Sequence, residues 1–287
     1  MANMSIQNLV YLNGSFIPIE DARISVLDRG FIFGDGVYEV VPVYSRRLFR
    51  LTEHLRRLQN SLEGIRLKNP HLDVEWRELL EKIVASNESD DQSIYLQITR
   101  GVAPRDHSFP EDVTPTVFIM SSPLLAPSKE LIATGVSAIT ANDNRWLRCD
   151  IKATSLLPNV LLRQKALDEN AVEALLLREG FLTEGSTSNI FVVKSEMLLA
   201  PPKSYLMLPG ITYDVVLELA ATHDIPHEIR NVSEYEIRTA QELLLTSSTK
   251  GIMSITHLDG KSVGNGKPGK VFLQLYQLYQ NYKSTVM

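Results

Sequence analysis

The chain is expected to be a mixed α/β (α+β) protein of two domains with a cleft between them. Three observations carry this reading. Its 287 residues fit two ordinary domains or one large one. Segments that alternate every second residue interleave with segments of helical period along the chain. Between them, Ser121-Ser122-Pro123 to Ala126-Pro127-Ser128 sets two prolines among small residues, which reads as a linker. The domains are therefore placed at 1–121 (smaller, N-terminal) and 134–287 (larger, C-terminal), with 122–133 joining them.

The elements follow in order. Val10-Tyr11-Leu12 and Ser15-Phe16-Ile17 flank Asn13-Gly14, a pair that accepts the positive φ angles of a type I′ hairpin turn. Phe33-Gly34-Asp35-Gly36 is a Gly-rich turn into a β-branched strand, Val37-Tyr38-Glu39-Val40-Val41. Thr52 reads as a helix N-cap, with Leu55, Leu58, Leu62 and Ile65 on one helical face. A second helix carries Trp76, Leu79, Leu80 and Ile83. Ile94, Leu96 and Ile98 alternate as a strand, and Val117-Phe118-Ile119-Met120 forms another. Beyond the linker, strands at 136–140, 174–178, 189–193 and 243–246 alternate with helices near 158–169 and 211–222. Pro158 suits a first helical turn, where its missing N–H costs nothing. Asp259-Gly260 marks a late hairpin.

Composition narrows the function classes. A formal charge of −5 without a basic block lacks the footprint of a nucleic-acid binder. The single cysteine, Cys149, forbids an intrachain disulfide and suits a reducing compartment. Met1–Gln7 has neither a basic nor a long apolar region, so a signal peptide is not expected, and no apolar run approaches the ~20 residues of a membrane span. A cytoplasmic protein with no membrane contact is the expectation.

Several motifs fail on inspection. Gly264-Asn265-Gly266-Lys267-Pro268-Gly269 matches a dinucleotide fingerprint literally, but it contains proline and leaves too little chain for a βαβ unit. His223 and His227 lie four apart, yet Pro226 ends a helix between them, so they read as surface histidines and no metal site is expected. One lone cysteine reads as structural.

What survives is a set of three pieces. Lys152 ends the half-buried run Trp146 to Ile151, and the nearby Arg148 would favour a neutral, nucleophilic amine. Glu184 sits in Thr183-Glu184-Gly185-Ser186-Thr187-Ser188-Asn189, read as a turn rich in hydroxyls (Ser186, Thr187, Ser188). Leu208-Pro209-Gly210-Ile211-Thr212 opens a helix whose free N–H groups suit an anion, and Ser247-Ser248-Thr249 ends an apolar strand. Arg57 is either a solvated helix charge or a phosphate clamp. An amine, a carboxylate and a helix start are what a pyridoxal phosphate (PLP) site needs. Each piece alone has an ordinary structural explanation.

The order of the pieces resembles the fold-type IV PLP enzymes, the group of branched-chain aminotransferases, D-amino acid aminotransferases and aminodeoxychorismate lyases. The landmarks are Asp28-Arg29-Gly30, Phe33-Gly34-Asp35-Gly36-Val37-Tyr38-Glu39, Glu53-His54-x-x-Arg57-Leu58, the Lys152 segment, Glu184-Gly185-Ser186, Gly210-Ile211-Thr212 and Thr246-Ser247-Ser248, from about residue 9 to about 260. The resemblance implies two domains with PLP in the cleft between them, the C-terminal one binding the cofactor. It implies that Lys152 is the Schiff-base lysine and Glu184 the partner of the pyridine nitrogen. By the same resemblance Arg57, Ile211, Thr212 and Ser248 hold the phosphate, and Leu208 packs against the ring. Ser186, Thr187, Ser188, Gly210 and Ser247 complete the cofactor contacts. Tyr38 with Pro104-Arg105-Asp106-His107 resembles the carboxylate trap of the D-amino acid branch, in which the Arg-x-His pair comes from the partner subunit. The implied activity is ping-pong transfer of an amino group from a D-amino acid such as D-alanine to a 2-oxo acid such as 2-oxoglutarate or pyruvate, in a homodimer. The alternatives are an L-branched-chain aminotransferase, an aminodeoxychorismate lyase, and a non-catalytic binding protein on the same fold. Pro209 and Ala153 depart from the family pattern, where a basic residue and a hydroxyl are common.

Overall fold

The computed structural model describes residues 9–286, so the segment Met1–Gln7 read above for a leader lies outside the described residues. The chain forms two compact units. The first runs to Leu125 and also takes Ile151–Ser155; the second takes Ala126–Asp150 and Leu156–Val286.

In the first unit a hairpin of β1 (Leu9–Leu12) and β2 (Ser15–Pro18) turns at Asn13 (φ 47°) and Gly14 (φ 96°), the left-handed pair that Asn-Gly provides. A short helix α1 (Arg29–Phe33) follows, capped by the Asp28 carboxylate, which accepts from Gly30 N–H. Then come β3 (Gly36–Tyr44), β4 (Arg47–Leu48), α2 (Leu51–Gly64), α3 (Asp73–Ala85), β5 (Gln92–Thr99) and β6 (Thr116–Pro123). The six strands make one antiparallel sheet in the order β2-β1-β6-β5-β3-β4. Leu55, Leu58 and Leu62 of α2 and Trp76, Leu80 and Ile83 of α3 are buried with Ile94, Leu96 and Ile98, as their periods require. Thr52 is not the N-cap. Arg50 holds that position with φ 52°, and Thr52 is exposed inside the first turn.

The stretch 151–155 belongs to this unit although the sequence places it beyond the linker. β4 is too short to cover the beginning of β3, and the chain returns to fill that edge. Tyr38 N–H donates to Lys152 C=O (2.9 Å), Thr154 N–H donates to Gly36 C=O (3.0 Å), and Ile151 and Ala153 join the core.

The second unit begins with α4 (Lys129–Thr134), so within the expected linker only 124–128 lacks regular structure. It continues with β7 (Val136–Asn142), α5 (Leu157–Asp168), β8 (Glu173–Arg178), β9 (Phe181–Gly185), β10 (Asn189–Lys194), β11 (Met197–Ala200), α6 (Ile211–Thr222), β12 (His227–Ile229), α7 (Glu234–Arg238), β13 (Glu242–Ser247), β14 (Gly251–Leu258), β15 (Lys261–Ser262) and α8 (Lys270–Val286). These strands form a second mixed sheet in the order β12-β11-β10-β13-β14-β7-β8-β9, with β15 paired to β14. One face packs Leu175, Ile190, Val192, Leu243, Leu245 and Ile255. Helix α8, to which the sequence reading assigns nothing, is anchored at both levels. Its Val271 and Phe272 N–H groups donate to the Glu242 carboxylate (3.0 and 2.8 Å), and Phe272, Leu275 and Tyr279 are fully buried. Gly264–Gly269 is a loop ahead of this helix, as expected. Helix α6 ends at Thr222, before His223, and His227 opens β12, so the two histidines share no helical face. Among the described residues no helix is long and apolar enough to cross a membrane.

Candidate active site

In the first unit α2 turns Arg57 and Ser61 to the same side, one helical turn apart. Ser61 Oγ accepts from Lys152 N–H (3.1 Å), which fixes the backbone of the lysine without using its amine. The amine itself lies 4.2 Å from the centroid of the Tyr38 ring and has no carboxylate partner among the described residues. A half-buried lysine of this kind is chemically available. Arg148, expected to act on it, is instead exposed and paired with Asp150 (3.1 Å).

Beside Tyr38, Glu39 is fully buried and accepts from Arg57 at two atoms, Nε (2.7 Å) and Nη2 (2.8 Å). His54 adds a contact from Nδ1 (2.8 Å). Burial alone would raise the Glu39 carboxyl, but Arg57 and His54 outweigh it and hold it well below the usual carboxylate range. Burial in turn lowers the His54 imidazole, so Nδ1 is the donor of a neutral ring. Arg57 is thus a buried, oriented cation rather than a solvated helix charge. Arg105 and His107 lie on an exposed loop beside Phe33, whose ring centroid is 5.4 Å from the Arg105 guanidinium carbon and 5.3 Å from the His107 ring.

In the second unit Glu184 lies in β9, one residue before its end, rather than in a turn. It is buried, and its Oε1 accepts from Arg145 Nη1. Its Oε2 accepts from Leu208 N–H (3.1 Å) and Asn189 Nδ2 (3.3 Å). Burial pushes the Glu184 carboxyl up to about 7, against the pull of Arg145. Arg145 also forms two bonds to Asp143 (Nε 2.9 Å, Nη2 2.9 Å), and Asp143 accepts from Thr183 Oγ1 (2.9 Å). Sequence reasoning missed Arg145 and Asp143, and gave Glu39 and Asn189 no role although both lie in the motifs quoted above. The signal available was a cluster of polar residues, Asn142-Asp143-Asn144-Arg145, directly after an apolar strand.

Ser186, Thr187 and Ser188 are brought together, but around a protein carboxylate. All three hydroxyls donate to the fully buried Glu173, Thr187 at 2.8 Å and Ser188 at 2.7 Å. Their protons are therefore committed, and the motif fixes the β9–β10 connection. Helix α6 starts at Ile211 with Gly210 at the N-cap and no side-chain cap, so its first N–H groups remain suited to an anion. Ile211 and Thr212 are buried there, Leu208 and Ser247 are half-buried, and Ser248 follows the end of β13. Cys149 is buried and its thiol is pushed up to about 11 by that burial, which removes it as a nucleophile. Among the described residues no group of three or more His, Cys, Asp or Glu side chains is placed to hold a metal ion.

Gly210 has a packing reason. A Cβ there would stand 2.0 Å from Asn189 Oδ1, and Asn189 Nδ2 donates to Leu208 C=O (2.9 Å) and to Glu184. Gly210→Ala is expected to cost about 1–3 kcal/mol in denaturant unfolding, because the bulk displaces Asn189. An unchanged unfolding midpoint would show that the segment relaxes freely.

The model of amino-transferase class IV matches residues 36–258. A D-alanine aminotransferase of Bacillus licheniformis is 40% identical over 272 residues, 95% of this chain and 96% of that protein. One from Listeria monocytogenes serotype 1/2a (strain 10403S) is 40% identical over 277 residues, 94% of each. Among solved structures, the T.th. branched-chain amino acid aminotransferase with pyridoxamine 5′-phosphate matches with a TM-score of 0.91 at 25% identity, covering 98% of this chain and 95% of that one. The branched-chain amino acid aminotransferase of Escherichia coli matches at 0.90 and 25%, covering 96% and 94%. The family model spans most of the chain and the relatives span nearly all of it, so the protein belongs to amino-transferase class IV.

Proposed function

We propose that the protein is a PLP-dependent D-amino acid transaminase that moves the amino group of a substrate such as D-alanine to a 2-oxo acid such as 2-oxoglutarate or pyruvate. The observation that carries this is the 40% identity to D-alanine aminotransferases over 95% of the chain, against 25% to the branched-chain enzymes. The site chemistry fits the cofactor. Lys152 offers an amine with no carboxylate partner among the described residues, Glu184 a buried carboxylate, and α6 an N-terminus without a side-chain cap.

Pyridoxal phosphate, when bound, supplies an aldehyde for covalent attachment and a ring that withdraws electrons from the substrate Cα. Lys152 would hold it and, once freed, would take the Cα proton on Nζ and deliver it to the carbon that had been the cofactor's aldehyde. Glu184, oriented by Arg145 and Asn189, would keep a proton on the pyridine nitrogen. Arg57, Ile211, Thr212, Ser247 and Ser248 would hold the phosphate, with Leu208 against the ring. Ser186, Thr187, Ser188 and Gly210 would shape this wall, the hydroxyls through Glu173. Arg105 would pair with the substrate carboxylate, and His107 and the Tyr38 hydroxyl would add hydrogen bonds. That fixed carboxylate decides which Cα–H faces Lys152. The kinetics would be ping-pong.

A homodimer is the working unit in this proposal, with the Arg105–His107 loop serving the neighbouring site. The exposure of this loop and of large apolar residues supports it. Leu157, Val160 and Leu161 are exposed on one face of α5, and Val26 and Phe31 are exposed in the first unit. The single cysteine suits a cytoplasmic setting.

Assays of D-alanine and L-leucine with 2-oxoglutarate test the reading directly. Turnover is expected with D-alanine, and a preference for L-leucine would contradict it. Arg105→Ala is expected to raise the KM for D-alanine about ten- to a hundredfold, the loss of charge-assisted hydrogen bonds, with cofactor binding unchanged. An unchanged KM would place the carboxylate site elsewhere.

A further inference from the structure

We infer that Arg29, locked by Asp35, is a positioning residue that sets the Arg105–His107 loop for the substrate carboxylate; this rests on the reading of that loop given above. Arg29 is 3% exposed. Its Nε donates to Asp35 Oδ2 (2.7 Å), and its Nη1 donates to Asp106 C=O (2.6 Å) and Ser108 C=O (3.2 Å). Those two carbonyls bracket His107. Asp35 is shared with Arg100, which donates from Nε (2.8 Å) and Nη2 (3.0 Å). The Arg100 guanidinium carbon lies 3.8 Å from the centroid of Phe109, at the far end of the same loop. Phe33, under His107 and Arg105, also lies 4.9 Å from the Arg29 guanidinium carbon.

The loop from Arg105 to Phe109 is thus exposed at its side chains and held by two buried cations, Arg29 at its backbone and Arg100 at Phe109. Burying two guanidinium groups on one carboxylate costs several kcal/mol of hydration. A surface loop that only joins β5 to β6 needs no such anchor, whereas a carboxylate trap must hold its donors within a fraction of an ångström. Burial would raise the Asp35 carboxyl, but Arg100 and Arg29 hold it below the usual range, so the lock is ionised when the enzyme works.

The test is steady-state kinetics on the holoenzyme with D-alanine and 2-oxoglutarate. Wild type, Arg29→Lys, Arg105→Ala and the double variant are compared, together with a half-reaction on benzylamine, which has no carboxylate. Lysine keeps the charge but cannot bind Asp35 and two carbonyls in one plane. Arg29→Lys is expected to raise the KM for D-alanine about tenfold with kcat changed less than about threefold, and to leave the benzylamine rate unchanged. On the Arg105→Ala background it is expected to add little. If Arg105→Ala raises the KM and Arg29→Lys does not, the positioning role is wrong and the trap stands. If Arg105→Ala itself has no effect, the trap reading fails and this inference with it. Equal losses on D-alanine and benzylamine would mark Arg29 as merely structural and overturn the inference. Should Arg29→Lys fail to fold, Phe33→Leu, a half-buried site, is expected to give the same KM rise, and an unchanged KM there overturns it.

Discussion

Replacing Lys152 by alanine is expected to lower the transamination rate by about ten-thousand-fold, the upper range for losing a positioned general acid–base. Visible absorbance of the attached cofactor should vanish in the same variant. The fold is expected to survive, because Lys152 serves the structure only through its main chain. Its N–H donates to Ser61 Oγ and its C=O accepts from Tyr38 N–H, and neither bond needs the side chain. Far-UV circular dichroism and denaturant unfolding check that half of the expectation. A variant that turns over at more than about a hundredth of the wild-type rate would remove Lys152 from the proton-transfer role.

The second large effect is on stability. Arg145→Met leaves the buried Glu184 without its cation and Asp143 with Arg178 alone (3.2 Å), and breaking a buried pair this way costs about 3–5 kcal/mol. The pH dependence has a definite sign. Burial already raises the Glu184 carboxyl to about 7, and removing Arg145 raises it further. A carboxyl raised on folding destabilises the native state once it ionises, so the deficit is fully present above the folded pKa. It eases as pH falls toward the ordinary Glu range, where the folded protein takes up the proton. Unfolding measured at about pH 6 and about pH 8.5 is therefore expected to show the larger deficit at the higher pH. A deficit independent of pH would mean that Glu184 stays in one protonation state throughout. Activity is expected to fall as well, since in the proposed reaction a protonated Glu184 could not hold a proton on the pyridine nitrogen.

The parts of the fold legible in the sequence are those set by local pattern. The Asn13-Gly14 hairpin, the α2 and α3 stripes and the span of α6 each follow from turn chemistry or helical period. Thr52 misled because a residue suited to capping does not cap when its neighbour Arg50 takes the left-handed conformation at that position. The placing of 151–155 with the first unit is not legible locally, because its pairing with β3 depends on an edge left open by a short strand far away in sequence.

The site divides the same way. Lys152 and Glu184 stand out in sequence through the motifs around them. Arg145 does not, nor does the role of Glu39 within its motif, because each acts through a partner distant in sequence: Arg145 through Glu184, 39 positions on, and Glu39 through Arg57, 18 positions on. The hydroxyl-rich stretch Ser186-Thr187-Ser188 reads as a turn, and nothing local reveals that Glu173, 13 to 15 positions earlier, accepts all three protons. Composition of a loop does not reveal which way its donors point.

In the proposed reaction, catalysis turns on one lysine amine that has no carboxylate partner among the described residues. Reducing the purified enzyme with borohydride, digesting it and mapping the vitamin B6-modified peptide by mass spectrometry locates the linkage. The label is expected on Lys152 at about one per chain, since a single Schiff-base amine holds the cofactor; a label on another lysine, or none on a protein saturated with pyridoxal phosphate, would contradict that role.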